Sequence, residues 1–311
     1  MKKNYLGIDL GGTGIKMAIV EKNGKIVEQM SFPNSCPCAP KTIVNEIRYH
    51  LSSMKHAGTI VGAGVGVAGD VDQKNGIVRF SPNLGWKMVP LKHMLKAIIK
   101  VPIIIDNDAN AAAWGAYWLD AKASVKNLIC ITLGTGVGGG IICDGKLYRG
   151  ATGTAGEIGH IAFDAHGLQC NCGSTGCIER YLGAKFLSMQ AQEAVERGKS
   201  KIISKLTNGN LEMITPKVLT QAANQGDKVA LSIWHQAGER LGIILAGVIN
   251  MFNPEMIILA GGVSSARELL LKPIRHTVTQ RAFKAPAQAC DIIISHNNQA
   301  IGVVGAALLA R

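Results

Sequence analysis

Residues 128–148 read LICITLGTGVGGGIICDGKLY, and residues 5–30 read YLGIDLGGTGIKMAIVEKNGKIVEQM. Each stretch contains an apolar run, a glycine-rich turn, a second apolar run, an Asp-Gly or Asn-Gly turn and a third run. Short apolar runs joined by such turns predict antiparallel strands, so each stretch predicts a β-meander. The two copies begin about 120 residues apart, which indicates an internal duplication and two similar lobes with a cleft between them.

Helical patterns alternate with strands along the rest of the chain. Strands are predicted at 60–67 and 102–106, and helices at 41–55, 109–121, 183–197, 228–252, 264–282 and 299–311. Thr215-Pro216 predicts the start of a further helix, because Thr is a common N-cap and Pro is favoured at the next position. This alternation predicts an α/β protein. The repeat places the boundary between an N-terminal small lobe, 1–113, and a C-terminal large lobe, 114–298.

The composition excludes several classes of protein. Of the 311 residues, 47 % are hydrophobic and 17 % are charged, which is too apolar for a disordered chain. No signal-peptide core precedes Asp9, and the longest uncharged run, 127–143, is too short for a membrane span. The net charge of +12 comes from scattered Lys and Arg without interleaved aromatic residues, which argues against nucleic acid. We therefore expect a cytoplasmic protein, in which cysteine clusters indicate metal binding or catalysis before disulfides.

Glycines in the second meander match a nucleotide-binding pattern only in part. Gly134, Gly136 and Gly139 satisfy the G-x-G-x-x-G dinucleotide fingerprint, but a strand follows them where that motif requires a helix. Glycine turns of hairpins still point backbone N–H groups at a phosphate, because the missing Cβ permits a close approach. A single such turn is more often a plain tight turn, so this alternative stays open for each copy alone.

The duplication of the turn favours phosphate binding. The first copy carries Asp9 and Thr13 and the second carries Thr135, and a carboxylate there can hold Mg²⁺ through water. A third cluster, Gly261-Gly262, lies between the apolar run MIILA and a helix expected to begin near Ser264. Such a strand-to-helix turn fits a nucleotide at a helix N-terminus, or a simple helix entry.

The strand predicted at 102–106 runs directly into an alanine-rich helix through the stretch Asp106-Asn107-Asp108-Ala-Asn110. At such a place Asx commonly caps the helix, and Asn107 or Asp108 alone would need no other explanation. One cap needs one Asx, whereas this stretch has four in five residues. An Asp fixed here could accept the proton of an attacking hydroxyl, so the stretch predicts a general base.

A histidine and three cysteines form the pattern H-x9-C-x-C-G-x-x-G-C. Four soft or borderline ligands in a reducing compartment predict a closed structural zinc site, with Gly173 and Gly176 letting the chain turn around the ion. On spacing alone His166 competes for the place of the histidine ligand. The predicted ligands are His160, Cys170, Cys172 and Cys177.

The remaining cysteines give weaker signals. Cys130 and Cys143 lie on apolar strands and are predicted to belong to the core. Cys290 has no evident partner in the sequence. Cys36-Pro-Cys38 is interpreted as an ordinary loop, because no other ligand is near it.

Two glutamates bracket the predicted metal site. Glu157 precedes His160 by three residues, and Glu179 follows Cys177 by two. Either alone is best explained as a solvated loop charge. Their position at the margins of one metal loop favours binding of a hydroxyl-rich ligand, because each sugar hydroxyl needs a fixed acceptor.

Together these motifs resemble the ROK family of sugar kinases. The similar stretches are DLGGTGIK (9–16), GVGVAGDVD (64–72), SPNLGW (81–86), DNDANAAAWG (106–115), LGTGVGGG (133–140), GTAGEIGH (153–160), CNCGSTGCIE (170–179), ILAGGVSS (258–265) and GVVGAALLA (302–310). The resemblance implies the two-lobed actin-like ATPase (ribonuclease H-like) fold of hexokinases, actin and the large heat-shock chaperones. It also implies that the final helix, 299–311, joins the N-terminal lobe.

The resemblance assigns a role to individual residues. Asp108 would be the general base that deprotonates the C6 hydroxyl of a hexose, and His160 would be both a zinc ligand and a sugar ligand. The residues implied in binding the sugar are Gly69, Asn83, Asn107, Asp108, Glu157, His160 and Glu179. The residues implied in binding ATP and its Mg²⁺ are Asp9, Gly11, Gly12, Thr13, Lys16, Gly134, Thr135, Gly136, Gly138, Gly261 and Gly262.

The implied activity is ATP-dependent phosphorylation of a hexose by a homodimer, with structural Zn²⁺. Glucose is the first expectation, and N-acetylmannosamine, N-acetylglucosamine and fructose are the alternatives. Four residues depart from the usual family pattern and leave the identity of the sugar open: Ala68, Asp70, Trp114 and Ala116.

Two rival functions and one alternative phosphate donor compete with this expectation. A sugar-responsive regulator of the same family would carry an N-terminal helix-turn-helix, whereas the first strand here begins at residue 4 or 5. An actin-like structural or chaperone ATPase would have no use for the carboxylates that flank the zinc site. Some relatives use inorganic polyphosphate as the phosphate donor, but these generally lack the zinc segment.

Overall fold

The computed structural model describes residues 3–34 and 39–311, so Cys36-Pro-Cys38 lies outside the described residues. The strands are β1 (Asn4–Leu10), β2 (Gly14–Glu21), β3 (Ile26–Pro33), β4 (Ile60–Val67), β5 (Asp70–Asp72), β6 (Ile77–Ser81), β7 (Trp86–Val89), β8 (Ile103–Asn107), β9 (Leu128–Leu133), β10 (Val137–Cys143), β11 (Lys146–Tyr148), β12 (Met256–Ala260) and β13 (Asp291–Ile294). The helices are α1 (Pro40–Ser53), α2 (Leu91–Lys96), α3 (Asp108–Leu119), α4 (Glu179–Leu182), α5 (Ala184–Glu196), α6 (Lys201–Leu206), α7 (Pro216–Asn224), α8 (Lys228–Phe252), α9 (Glu268–Arg281), α10 (Lys284–Ala289) and α11 (Ile301–Leu309).

The first sheet has the strand order β3-β2-β1-β4-β8. β1 pairs antiparallel with β2 and parallel with β4, and β4 pairs parallel with β8. Leu6, Ile8 and Leu10 alternate along β1 and are fully buried in the core. Because β1, β4 and β8 are parallel, the residues that follow them lie at one edge of the sheet.

The second sheet repeats this arrangement in the order β11-β10-β9-β12-β13. β10 pairs antiparallel with β11, and β12 pairs parallel with both β9 and β13. In both sheets a meander of three consecutive strands is followed by two later strands that are added on the side of the first strand. The duplicated β-meander predicted from the sequence is therefore confirmed.

A third sheet, in the order β5-β6-β7, was not predicted from the sequence. Its strands have three to five residues, too few for a periodic signal. Arg79 of β6 donates to both carboxylate oxygens of Asp70 in β5, at 2.9 and 2.6 Å. Asp70, which departs from the family pattern, thus pairs two strands of this sheet.

The predicted helices are present, one of them with a different start, and the short helices α2, α4, α6 and α10 were not predicted. The helix predicted at 228–252 is confirmed, and Thr215 caps α7 by accepting the backbone N–H of Val218 at 3.3 Å. For the helix predicted at 264–282, the predicted start was wrong. Residues 262–266 form a 3₁₀ turn, and α9 begins only at Glu268, because the backbone of Arg267 has a φ of 51° and interrupts the helix.

The chain divides into two compact units. One contains residues up to 126 together with 140–156 and 296–311, and the other contains 127–139 and 157–295. The lobe boundary near residue 113 stays a prediction. Within the described residues, no helix is both long enough and apolar enough to cross a membrane.

In the first unit, α11 lies directly on the backbone of its neighbours. A Cβ on Gly64 of β4 would be 1.9 Å from the carbonyl oxygen of Ala306, and one on Gly305 would be 1.8 Å from that of Ala111 in α3. Glycines at these two crossings allow the close approach. The indole N–H of Trp114 donates to the carbonyl of Leu308 at 3.1 Å, so this bulkier residue serves the packing of α11.

Candidate active site

The junction of β8 and α3 fixes the predicted acid segment. Asn107 caps the helix, since its Oδ1 accepts the backbone N–H groups of Ala109 at 2.8 Å and Asn110 at 3.1 Å. Its Nδ2 donates to the carbonyl oxygen of Gly69 at 3.0 Å, so two predicted sugar-binding residues are held together. The capping interpretation is thereby confirmed for Asn107. Asp108 follows as the first helical residue and is half-buried, where the helix dipole favours a negative charge.

An ion pair between the buried Asp106 and the half-buried Arg149 supports this segment. One carboxylate oxygen of Asp106 accepts from Arg149 Nε at 2.8 Å and Nη2 at 2.7 Å. The other oxygen accepts from the backbone N–H of Asn107 at 2.8 Å and from Asn110 Nδ2 at 3.0 Å. A buried carboxylate requires such full pairing. The pairing of Arg149 with Asp106 gives no signal in the sequence, because 43 residues separate the two and no local pattern connects them.

The turn after β1 borders a cavity of about 370 Å³. Asn83 packs against the backbone of this turn, since a Cβ on Gly12 would be 3.2 Å from the Cβ of Asn83. The turn therefore meets one of the residues predicted at the edge of the sugar pocket. The cavity brings together four residues predicted to bind the nucleotide: Asp9, Gly11, Thr13 and Lys16.

Asp9 is placed where a cation would stabilise it. Burial raises the pKa of its carboxyl above the usual 3.8, and the positive charge of Lys16, its register partner on β2, lowers that pKa only in part. The carboxylate also lies against the start of α11, since a Cβ on Gly302 would be 2.7 Å from its Oδ2. A carboxylate that is desolvated and incompletely compensated fits a hydrated Mg²⁺.

Two glycine turns follow the parallel strands β9 and β12 of the second sheet. The turn after β9 is closed by a hydrogen bond from Gly134 N–H to the Gly136 carbonyl at 2.9 Å. Gly261 follows β12 with a φ of 92°, and a Cβ on it would be 2.4 Å from the carbonyl oxygen of Leu133. The structure thus brings the second and third predicted nucleotide-binding turns side by side. The other residues predicted for these turns lie in them or next to them. Thr135 belongs to the turn after β9, Gly138 lies in β10 just beyond it, and Gly262 follows Gly261.

The loop between β11 and α4 brings the four predicted metal ligands together. Cys170 Sγ lies 3.8 Å from His160 Nδ1, and Cys172 Sγ lies 3.6 Å from Cys177 Sγ. All four donor atoms are within 4.8 Å of one another. A tetrahedral zinc ion with Zn–S distances of ~2.3 Å has ligands about 3.8 Å apart. The donor set therefore fits a tetrahedral metal ion in both size and chemistry.

Two details of the loop concern predictions made from the sequence, the histidine ligand and the turn at Gly176. His166 is exposed and lies outside the cluster, so His160 is the histidine of the set. Gly176 has a φ of 73°, and a Cβ on it would be 1.6 Å from the carbonyl oxygen of Asp164. Only glycine permits this approach, as the predicted wrapping of the chain requires.

The thiols of the cluster are electrostatically uneven. Burial and hydrogen bonds with the neighbouring thiols raise the pKa of Cys177 to about 12. A backbone hydrogen bond from Ser174 helps to lower the pKa of Cys172 below its usual value. A metal ion would replace the protons of such a crowded set, because only thiolates act as ligands.

Outside the cluster, one prediction about the cysteines was wrong. Cys130 in β9 is fully buried, as predicted, and Cys290 is also buried. Cys143, predicted to be in the core, is exposed. It is the last residue of β10, opposite Lys146 at the end of a hairpin, where the sheet gives no cover to its side chain.

The two glutamates at the margins of the loop have different environments. Glu157 is exposed, and its Oε2 lies 3.9 Å from Nε2 of His160, the ring nitrogen that faces away from the thiols. Glu179 is half-buried, and its Oε2 accepts the backbone N–H of Val137 at 2.9 Å. The contact of Glu179 with the glycine turn gave no signal in the sequence, since 42 residues separate the two.

Two sheets of the same strand order, each with a glycine turn after its first strand, are the arrangement of the actin-like ATPase fold. The ROK family model matches residues 5–311. The glucokinase of Streptomyces coelicolor is 36% identical over 309 residues, covering 98% of this chain and 97% of the relative. The chain belongs to the ROK family, as the resemblance implied.

Two further similarities bear on fold and function. A crystal structure of a ROK family glucokinase from Streptomyces griseus, in complex with glucose and AMPPNP, matches with a TM-score of 0.88 and 36% identity over 99% of both chains. The xylose repressor of Caldicellulosiruptor bescii is 34% identical over 309 residues, covering 97% of this chain and 76% of the repressor. The chain has the actin-like ATPase fold of these ROK relatives.

Proposed function

We propose that the chain is an ATP-dependent kinase that phosphorylates the C6 hydroxyl of a hexose, with glucose as its preferred substrate. The observation that carries this proposal is the similarity to the S. griseus glucokinase, which binds glucose and AMPPNP, over the whole chain. N-acetylmannosamine, N-acetylglucosamine and fructose are the alternative substrates.

The proposed reaction is an in-line transfer of the γ-phosphoryl group. Asp108 accepts the proton of the C6 hydroxyl, the sugar oxygen forms a bond to the γ-phosphorus, and the bond to the β,γ-bridging oxygen breaks to release ADP. The ion pair of Asp106 and Arg149 holds the start of α3 and thereby orients Asp108. Mg²⁺ bound near Asp9 would neutralise charge on the phosphates.

The remaining proposed roles divide between sugar and nucleotide. The carboxylates of Glu157 and Glu179 accept hydrogen bonds from sugar hydroxyls, and His160 donates one from its ring N–H. Three further residues complete the proposed sugar site: Gly69, Asn83 and Asn107. The glycine turns offer backbone N–H groups to the phosphates and the adenosine, which suits phosphoryl transfer, where positioning and charge stabilisation provide most of the rate.

A panel of sugars tests this function. Purified protein is assayed with glucose, fructose and both N-acetyl sugars, with ATP and polyphosphate side by side, and NMR identifies the phosphorylated position. We expect the highest kcat/KM with glucose and ATP, and glucose 6-phosphate as product. Equal ATP consumption with and without sugar would refute the kinase proposal. Equal rates with polyphosphate would refute ATP as the sole donor.

We further propose that the cluster of His160 and three cysteines holds a structural Zn²⁺. Cys172→Ser should lose bound metal, and Cys143→Ser is the matched control, because both cysteines are exposed and only Cys172 belongs to the cluster. Elemental analysis should find one zinc per chain in the wild type and the control and a deficit in Cys172→Ser. Metal-free wild-type protein with full activity would contradict the proposal.

A cytoplasmic homodimer, usual in the family, is part of the same proposal. Light scattering coupled to size exclusion should give twice the mass of 32.9 kDa. A monomeric mass at assay concentration would contradict it.

A further inference from the structure

The metal loop, residues 157–179, carries the four predicted metal ligands. It contacts the glycine turn 134–137 from one side through Gly159. This glycine is next to the ligand His160, and a Cβ on it would be 2.0 Å from the carbonyl oxygen of Val137. The two backbones are therefore in direct contact. A movement of this end of the metal loop would change the position of the turn.

Glu179 holds the turn from the other end of the loop. Its Oε2 accepts the N–H of Val137 at 2.9 Å, and a Cβ on Gly136 would be 2.2 Å from the same oxygen. The carboxylate thus occupies the space that a side chain at 136 would need. It also fixes the direction of the Val137 amide through a charge-assisted hydrogen bond.

The residues after α4 complete this contact. Ala184 N–H donates to the Gly134 carbonyl at 2.9 Å, and a Cβ on Gly183 would be 2.7 Å from the carbonyl oxygen of Thr135. The segment 179–184 therefore contacts each of the four residues of the turn 134–137.

The two ends of the loop meet at the metal cluster. Cys177 Sγ lies 3.6 Å from the carbonyl oxygen of His160, and Ile178 N–H donates to the carbonyl of Ile161 at 3.0 Å. His160 is adjacent to Gly159, and Cys177 is two residues before Glu179. One ion bound by these ligands would fix both sides of the contact with the turn.

We infer that the metal loop is the support of the nucleotide-binding turn, so that metal occupancy sets the affinity for nucleotide. Gly159, Glu179 and Gly183 act as positioning residues for the amides of turn 134–137. An amide turn that is ordered before binding loses less conformational entropy when phosphate binds, and so binds more tightly. This inference rests on the proposed role of the turn in binding ATP.

The first experiment compares the full chain as purified, after removal of metal with a chelator, and after reloading with Zn²⁺. Calorimetry with ADP and Mg²⁺, without sugar, measures nucleotide affinity, and hydrogen exchange reports on the amides of 134–138. We expect removal of the metal to weaken ADP binding about tenfold and to speed exchange in this turn. The equivalent turn of the first sheet, 11–14, is the internal control and should exchange as before.

The second experiment leaves the metal ligands intact. Gly183→Ala places a methyl group against the carbonyl of Thr135, and we expect ADP binding to weaken about tenfold while the zinc content stays unchanged. Gly247→Ala in α8 is the matched control, because nothing lies within 4 Å of a Cβ at that position. It should bind ADP as the wild type does.

Several outcomes would overturn the inference. Unchanged ADP affinity and unchanged exchange at 134–138 after metal removal would do so, as would unchanged affinity in Gly183→Ala. Faster exchange in both turns would also overturn it, because the metal would then stabilise the protein in general and not this turn in particular. If the metal-loaded protein bound no ADP, the proposed kinase function would fail, while the exchange data would still decide whether the metal supports the turn.

Discussion

The two sheets share one strand order but carry different chemistry at corresponding positions. Asp9 and Thr132 each stand two residues before the first glycine of a turn, one in β1 and the other in β9. The edge of the first sheet carries the carboxylates of Asp9, Asp106 and Asp108 beside its glycine turn, whereas in the second sheet β9 and β12 are followed by glycine turns without a carboxylate. The strand order thus provides the edge, and the residues at the strand ends decide whether negative charge is added to the backbone amides there.

The largest expected effect comes from removing Asp108, a carboxylate at the edge of the first sheet. Asp108→Asn should lower kcat between about 10²- and 10⁴-fold, the usual contribution of a general base, because the amide cannot accept the proton. Sugar affinity measured by calorimetry should change little. Asp72→Asn, at a half-buried Asp of β5, is the control and should keep its kcat. Near-normal turnover in Asp108→Asn would exclude this residue as the base.

The next effect tests whether the carboxylate edge depends on the ion pair of Asp106 and Arg149. Arg149→Met should lower the free energy of unfolding by about 3 kcal/mol, measured by urea denaturation, because it leaves the buried Asp106 carboxylate without its counter-charge. Arg79→Met removes the more exposed pair with Asp70 and should cost less than about 1 kcal/mol.

A double variant sharpens that test. Asp106→Asn combined with Arg149→Met removes both charges, so its loss should be smaller than the sum of the two single losses. Strictly additive losses would show that the two side chains act independently and would contradict the described role of the pair.

The smallest effect concerns Asp9 and the pH dependence of stability without nucleotide. Because burial raises the pKa of Asp9 in the folded protein, protonation stabilises the fold, and this stabilisation is lost as pH rises from the unfolded value of 3.8 through the folded pKa. Asp9→Asn lacks this loss, so its stability relative to the wild type should increase as pH rises over that window. A constant difference between pH ~4 and pH ~7 would contradict the raised pKa.

Local patterns were sufficient to predict much of the fold. The alternation of apolar runs and glycine turns predicted both meanders, and the Thr215-Pro216 pair predicted the start of α7, because these signals depend on neighbouring residues only. The pattern of ligands also predicted the cluster around Cys170. The choice of His160 over His166 needed the path of the loop in space.

Interactions between distant residues could not be predicted in this way. The pairing of Arg149 with Asp106 and that of Glu179 with Val137 each join residues more than 40 positions apart, and each partner alone has the composition of an ordinary loop or strand end. Cys143 is exposed because it is the last residue of β10, opposite Lys146 at the end of the hairpin. Such features arise from packing, which one-dimensional periodicity does not contain.

The packing of α11 has a consequence for biosynthesis. The face of the first sheet at Gly64 is covered by a helix that the ribosome makes only after the whole of the second sheet. While the chain is being translated, the β1 and β4 strands therefore present an uncovered surface to chaperones and to other nascent chains. Folding of the first unit is completed only when residues 296–311 have left the exit tunnel, although most of its sequence is translated first.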